Sequence, residues 1–297
     1  MADRAGPSDG RRHRRGRGLW LYTAMLLPGT AWMSIFFISA LVVMVLLSFG
    51  TTDELGNPHF GTTLANISRI LDGVYFTAIL HSLVYAVCSS VICLVVSYPV
   101  AYVIARHGGR YKHALLGLLV APFFANYLIR MYGWQTLLSD EGPLLNALHH
   151  MGVPSTFHLI NTQGAVIAGL AYGYIIFMVL PLYAAMERMD PAIIEAGRDL
   201  YGSALRTFLT VTVPASSGGA YAGLALVFLP SVGDFVSNDL LGGPGTVMVG
   251  NLIQDKFFDG QDWPLGSALS LVLMVLLLLF LSAYVRHNAR QAKEVQL

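Results

Sequence analysis

Six long apolar stretches dominate this chain and leave little choice of fold. They run over residues 25–49, 75–105, 114–138, 164–186, 218–236 and 265–285. Each is long enough to cross a hydrocarbon core about 30 Å thick, which needs ~20 helical residues. Lipid offers no partner to a bare N–H or C=O, so a spanning segment must be a helix or part of a closed barrel. None of the six shows the alternation of a barrel strand. Composition agrees, with 12% charged residues where a soluble domain carries about 25%. The prediction is an all-α integral membrane protein with six transmembrane helices.

The basic residues orient it. Arg4, Arg11, Arg12, Arg14, Arg15 and Arg17 crowd the segment before the first span. That span exceeds the ~7–15 apolar residues of a cleaved signal, so it reads as an uncleaved anchor. Arg106, Arg110 and Lys112 occupy the second loop, Arg188, Arg198 and Arg206 the fourth, and Arg286, Arg290 and Lys293 the C-terminal tail. The other loops hold only Arg69 and Lys256. Positive charge stays inside, which puts both termini in the cytoplasm. A basic tail beside a span touches anionic headgroups and sets topology, so no nucleic acid partner is expected. The outer loops are acidic, with Asp140, Glu141, Asp239, Asp255, Asp259 and Asp262 among others. These charges are either ordinary solvated groups or a mild funnel for a cation. Cys88 and Cys93 lack metal-site spacing and read as small core or lipid-facing residues.

Two outer loops are more than connectors. Leu144, Leu145, Leu148 and Met151 recur at helical spacing within 139–163, which suggests a short interfacial helix. Residues 230–247 are rich in glycine and proline, and irregular backbone near membrane depth survives only beside protein or a water-filled cavity.

The fourth loop is the most informative. Asp190 before Pro191 is an acidic N-cap followed by proline at the first helical position. A short helix with apolar surface follows, broken at Gly202 and Ser203, and a second helix leads to Pro214 and the fifth span. This stretch resembles the cytoplasmic coupling motif of binding-protein-dependent ABC importer permeases: Glu-Ala-Ala, three residues, a glycine, nine residues, then aliphatic-x-aliphatic-Pro. Here Glu195, Ala196 and Gly197 are followed at the matching distance by Val211, Thr212, Val213 and Pro214. Gly197 replaces the second alanine, and Tyr201 takes the usual glycine position with Gly202 next to it. The stretches APFFANYLIRMYGWQTLLSDEGPLLNALHHMG and PSVGDFVSNDLLGGPGTVMVGNLIQDKFFDGQDWPLGSALSLVLM are similar to spermidine/putrescine importer permeases, and the likeness spans roughly 20–285.

The resemblance implies a type I ABC importer permease (MetI-like) fold. The implied layout is a basic tail over 1–24, a first helix over 25–49, a five-helix core over 75–285 with a coupling loop at 187–214, and a cytoplasmic tail over 286–297. It implies a place in a bacterial plasma (inner) membrane and a translocation path for a small organic cation, a polyamine such as putrescine or spermidine, with another small organic solute as the alternative. It also implies two ATP-binding subunits docked on the coupling loop, a second permease subunit or a second copy, and a soluble substrate-binding protein. The first span would wrap the partner permease.

No GxxxxGK[ST] loop occurs, so ATP and Mg²⁺ are expected on a partner, with no cofactor on this chain. There is no HExxH helix and no GxSxG elbow, which argues against an intramembrane enzyme. His149 and His150 are adjacent rather than i,i+4 and read as interfacial polar groups without a metal. A channel or secondary transporter would not need the cytoplasmic helix pair.

Within the spans each charge asks for a reason. Arg130 is either a snorkelling residue or half of an internal ion pair. Asp234 is either a carboxylate for an ammonium in transit or a loop carboxylate satisfied by backbone amides. In the family it resembles, an acidic residue stands at that place. Asp239 lies in the same segment. Tyr132 and Trp134 either offer cation–π faces or belong to the outer aromatic belt. A conducting path should bind weakly, so no deep cage of carboxylates is expected.

Overall fold

The computed structural model describes residues 12–294 except 54, 55, 72, 153 and 155–157, with side chains described between 25 and 286. The N-terminal arginines therefore lie outside the described side chains, as do Arg290 and Lys293.

Helix α1, Arg12–Ser48, is continuous across the expected boundary at residue 24, so residues 12–24 and the first span share one helix. Beyond residue 25 its apolar side chains are exposed along most of its length. A two-residue antiparallel hairpin follows, β1 Thr51–Thr52 against β2 Pro58–His59, the one departure from an all-α chain among the described residues. Short α2, Ala65–Ile70, leads into α3, Gly73–His107.

The expected third span is not one helix. A 3-10 turn at Gly109–Tyr111, α4 over Lys112–Val120 and a second 3-10 turn at Ala121–Phe124 end at Ala125, which is extended at ψ 145°. Helix α5, Tyr127–Leu138, restarts under a new cap, with Asn126 Oδ1 accepting from Leu128 N at 2.8 Å. The two halves, counting α6 over Pro143–His150 with the second, meet at 88°. Pro122 has no N–H to give a continuous helix and fixes its own φ, which favours the break. Helix α6 is the short helix expected in the outer loop; its Leu145 is buried.

Helix α7, Gln163–Glu187, is capped by Thr162. Helices α8, Pro191–Tyr201, and α9, Ala204–Thr207, form the fourth-loop hairpin. A π-helical turn at Phe208–Thr212 and a last turn α10, Val213–Ala215, follow. Helix α11, Ser217–Val232, leaves this arm at 69° and stops at Gly233, short of the expected end at 236. The glycine-rich segment then holds six helical residues, α12 Val236–Leu241. Helices α13, Val249–Phe258, and α14, Trp263–Glu294, complete the described chain.

Among the described residues four helices are long and apolar enough to cross a membrane, and up to six spans result when each bent pair counts as one. Helices α3, α7 and α11 form the centre, where Cys93, Met178, Leu182 and Val227 are buried together. The Cys93 thiol donates to the Ala171 carbonyl at 3.2 Å, so it is a packed core residue. Helices α13 and α14 seal the flank of α3 through Ile79, Val249 and Leu265, and α1 lies along α14.

Candidate functional site

Two constructions stand out: a buried carboxylate among the central helices, and the fourth-loop hairpin.

Asp234 lies just past the end of α11 and is only 6% exposed. Its Oδ2 accepts from Tyr127 Oη and from Tyr174 Oη, each at 2.7 Å. Its Oδ1 accepts from Ser237 N at 2.7 Å, and the Ser237 hydroxyl lies 2.7 Å from Tyr127 Oη. Among the described residues no cation lies within 4 Å of this carboxylate. Of the two sequence alternatives this geometry bears only on the loop carboxylate, and it is met in part: one backbone amide donates to the group, and two tyrosines from other helices supply the rest. Buried charge is tolerated when hydrogen bonds replace water. Tyr127 can reach in because α7 has no Cβ at residue 173; one there would stand 2.8 Å from Tyr127 Cε2.

Arg130 sits one turn beyond Tyr127 on α5. Its Cζ lies 4.6, 5.5 and 5.7 Å from the ring centroids of Phe123, Tyr127 and Tyr172. Its Nε and Nη1 are buried without a hydrogen-bond partner. Among the described residues it makes no ion pair, and its guanidinium lies against three aromatic rings, contacts that neither sequence reading named. The 3-10 turn that carries Phe123 and the break before Tyr127 fold the aromatic rings around it.

Trp134 packs on Tyr172, centroids 5.3 Å apart, and Tyr132 is exposed on α5. Neither side chain is among the hydrogen-bonding partners of Asp234. Asp239 takes a hydrogen bond from the Asn251 amide, which also donates to the Phe235 carbonyl at 2.9 Å. Partial enclosure raises the Asp239 carboxyl above its ordinary range; the Asn251 bond opposes this and the nearby Asp234 charge adds to it. Thr246 donates to Asn238 Oδ1 at 2.7 Å, and Asn238 donates to Asn251 Oδ1 at 2.9 Å. This polar net holds the expected irregular segment in place.

Sequence reasoning missed Tyr127, Tyr174 and Ser237. The available signal was chemical: a tyrosine inside a span needs an acceptor for its hydroxyl, and Asp234 is the acid that α11 and α12 bring among them.

In the hairpin, Asp190 Oδ1 accepts from Ala192 N at 2.9 Å and Pro191 takes the first helical position, as the sequence predicts. Gly202 closes α8 at φ +69°, a conformation open to glycine at little cost. Ser203 Oγ caps α9 by accepting from Arg206 N at 3.2 Å. The departure at Gly197 has a steric cause: a Cβ there would meet Thr207 Cγ2 at 2.9 Å and Val211 Cγ2 at 3.0 Å. The departure at Tyr201 only moves the helix-ending glycine to 202, and the Arg206 guanidinium lies 5.8 Å from the Tyr201 ring centroid. Ile194 and Gly197 face inward. Glu195 and Ala196 are exposed, and so are the apolar side chains of Ile193, Leu200, Leu205 and Leu209. Pro214 lies in α10, at the foot of the returning arm.

The chain is 38% identical over 274 residues to the spermidine/putrescine transport system permease protein PotB of Escherichia coli, covering 92% of this chain and all of that one. It is 36% identical over 268 residues to the PotB of Haemophilus influenzae, covering 90% and 94%. No family model matches. Among solved structures, a bacterial alginate ABC transporter in complex with an alginate pentasaccharide-bound periplasmic protein has a chain of the same fold. The match has TM-score 0.72 and 18% identity, and covers 95% of this chain and 99% of that one.

Proposed function

Because this chain belongs to the family of spermidine/putrescine transport permeases of ABC importers, we propose that it forms part of the path by which a polyamine enters the cell. The chain is a permease subunit, not an enzyme, and its fold is that of an ABC importer permease. ATP hydrolysis falls to two separate subunits gripping the α8–α9 hairpin, so both chain termini lie in the cytoplasm. A second, related permease completes the path, and a soluble binding protein delivers the polyamine. The alginate importer, captured with its periplasmic protein, supports that last role. The long exposed face of α1 suits a helix that wraps the partner permease, as an apolar surface of that extent suits protein or lipid.

The single observation that carries the reading is the hairpin. A capped helix with apolar side chains turned outward is built to enter another protein's groove. Asp234 supplies the path with a carboxylate, which an ammonium reaches when Tyr127 and Tyr174 turn aside. Arg130, Tyr132, Trp134 and Asp239 form the surroundings of this place. Binding there is weak, since transit needs release.

The test is ATP-driven putrescine uptake by cells carrying Glu195→Arg, with membrane content checked by immunoblot. The charge reversal on the exposed face of α8 is expected to abolish uptake while the chain stays in the membrane. Undiminished uptake removes α8 from the ATPase contact.

A further inference from the structure

The cytoplasmic end of α3 holds both arms of the coupling hairpin. On the incoming arm, Arg106 Nη2 donates to the Met186 carbonyl and to the Met189 carbonyl, each at 2.9 Å. Met186 lies in the last turn of α7, and Met189 immediately precedes the Asp190 cap of α8. One guanidinium thus bridges the end of a span and the first residue of the hairpin. Lys112, just beyond α3, adds an ion pair to Glu187 at the same junction.

On the outgoing arm, Tyr98 and Tyr102 of α3 meet Phe208 edge-on, with centroids 6.0 and 5.2 Å apart. The Tyr98 hydroxyl donates to the Val213 carbonyl and receives the Ser216 hydroxyl, both at 3.4 Å. Tyr98, Tyr102 and Arg106 are spaced i, i+4, i+8 and share one face of α3.

The outlet for hairpin motion toward α11 is softer. Toward α11 the chain passes a π-helical turn at Phe208–Thr212 and then the 69° bend at Ser216. π-helical turns interrupt the regular hydrogen-bond ladder and recur at functional joints. Inside this one the Thr212 hydroxyl is buried without a partner.

We propose that α3 receives the motion of the coupling hairpin, with Arg106, Tyr98 and Tyr102 as positioning residues that bind both arms to it. Displacement of α8 then tilts α3, while α11 follows through a yielding joint. Because α3 packs along α7 and α11, this tilt reaches the centre of the bundle. A two-point attachment transmits rotation as well as translation, which one contact cannot do.

This inference rests on the hairpin being the ATPase dock, and the experiment separates the two. The assembled importer is reconstituted in vesicles with Arg106→Gln, Arg106→Lys or Phe208→Ala. Co-purification of the ATPase subunit reads docking; putrescine uptake per ATP hydrolysed reads transmission. Arg106→Gln and Phe208→Ala are expected to keep the ATPase bound and hydrolysing, while uptake per ATP falls roughly five- to twentyfold. Arg106→Lys, which keeps a donor near the carbonyls, recovers part of that loss. Unchanged uptake per ATP overturns the proposal, and so does loss of uptake and hydrolysis in equal proportion or loss of the ATPase subunit.

If the variants fail to accumulate, spin labels on the otherwise intact chain decide. Arg198→Cys on α8 and Val103→Cys on α3 are exposed positions, introduced with Cys88→Ser. Their separation is expected to stay constant between nucleotide states, while that from Val103→Cys to Leu279→Cys on α14 changes. A changing distance between α8 and α3 sinks the proposal.

Discussion

The Tyr174 hydroxyl donates to Asp234 Oδ2 at 2.7 Å, tying the middle of α7 to the segment that follows α11. It joins two elements that the chain separates by 60 residues, and it does so through a carboxylate with no cationic partner among the described residues. A charge held only by neutral donors can give them up to an ammonium, which offers both hydrogen bonds and Coulomb attraction.

Asp234→Asn should therefore reduce polyamine uptake about tenfold, roughly 1.4 kcal/mol in the rate-limiting barrier. Asp262→Asn is the comparison. Asp262 accepts from Thr52 Oγ1 at 2.9 Å and pairs with Arg69 at 3.2 Å at the protein surface. An exposed pair of this kind is worth ~0–1 kcal/mol, and the asparagine keeps an oxygen for Thr52, so uptake should stay within about twofold. Labelled putrescine uptake, normalised to membrane content, distinguishes the two. Equal effects would remove Asp234 from the path.

Gly173→Ala tests how Tyr127 reaches the carboxylate. A Cβ at 173 would press on the Tyr127 ring edge and its hydroxyl, at 2.8 and 3.1 Å. The ring is enclosed by Arg130 and Tyr174, so it cannot yield freely. Overpacking of this kind costs about 1–3 kcal/mol. The variant should melt earlier in detergent and lose uptake, and Gly173→Ala with Tyr127→Phe should not restore transport, because the Asp234 hydrogen bond stays lost. Recovery in the double variant would show that transport does not need the Tyr127 hydroxyl on Asp234.

Arg130 sets attraction to three rings against two buried guanidinium nitrogens without acceptors. Cation–π contacts contribute ~0.5–2 kcal/mol, while each unsatisfied buried donor costs ~1–3 kcal/mol. Over three rings and two nitrogens the two effects nearly offset, so the guanidinium adds little net stability. Arg130→Met, apolar and of similar length, is expected to melt no earlier than the wild type in detergent. Arg130→Lys replaces a stacking plane with a compact, strongly hydrated charge and should melt earlier. A marked fall in melting temperature for Arg130→Met would mean that the guanidinium stabilises its surroundings on balance.

The sequence carried the spans because apolar length is a local property, and it carried the Asp190 cap and the Gly202 break because both act within a few residues. It did not carry the interruption at Ala125: hydropathy runs unbroken from 114 to 138, and only Pro122 and Asn126 mark the bend. It gave Asp234 as a lone acid but not Tyr127 and Tyr174, because tertiary packing brings these partners from two other helices. The rings around Arg130 were not legible for the same reason. Its rings come from a bend and from a neighbouring span, and sequence spacing reports neither.

The hairpin's geometry makes the most direct prediction about energy coupling. Gly202 sits at φ +69° with no atom within 4 Å of a hypothetical Cβ, so a side chain there would find space but not a comfortable backbone. The left-handed conformation costs an L-residue roughly 1–2 kcal/mol, and β-branching adds to that. Gly202→Val should therefore unravel the last turn of α8 or redirect α9, leaving the spans untouched because Gly202 lies outside them. Asp190→Ala removes the cap at the other end of α8, about 1 kcal/mol, without adding strain. The expected order of uptake is wild type, then Asp190→Ala, then Gly202→Val, with detergent melting temperatures close to one another. Limited proteolysis should cut the 187–214 loop faster in the same order. Equal proteolysis with lost uptake would mean that Gly202 contacts the ATPase subunit itself rather than shaping the helix that does.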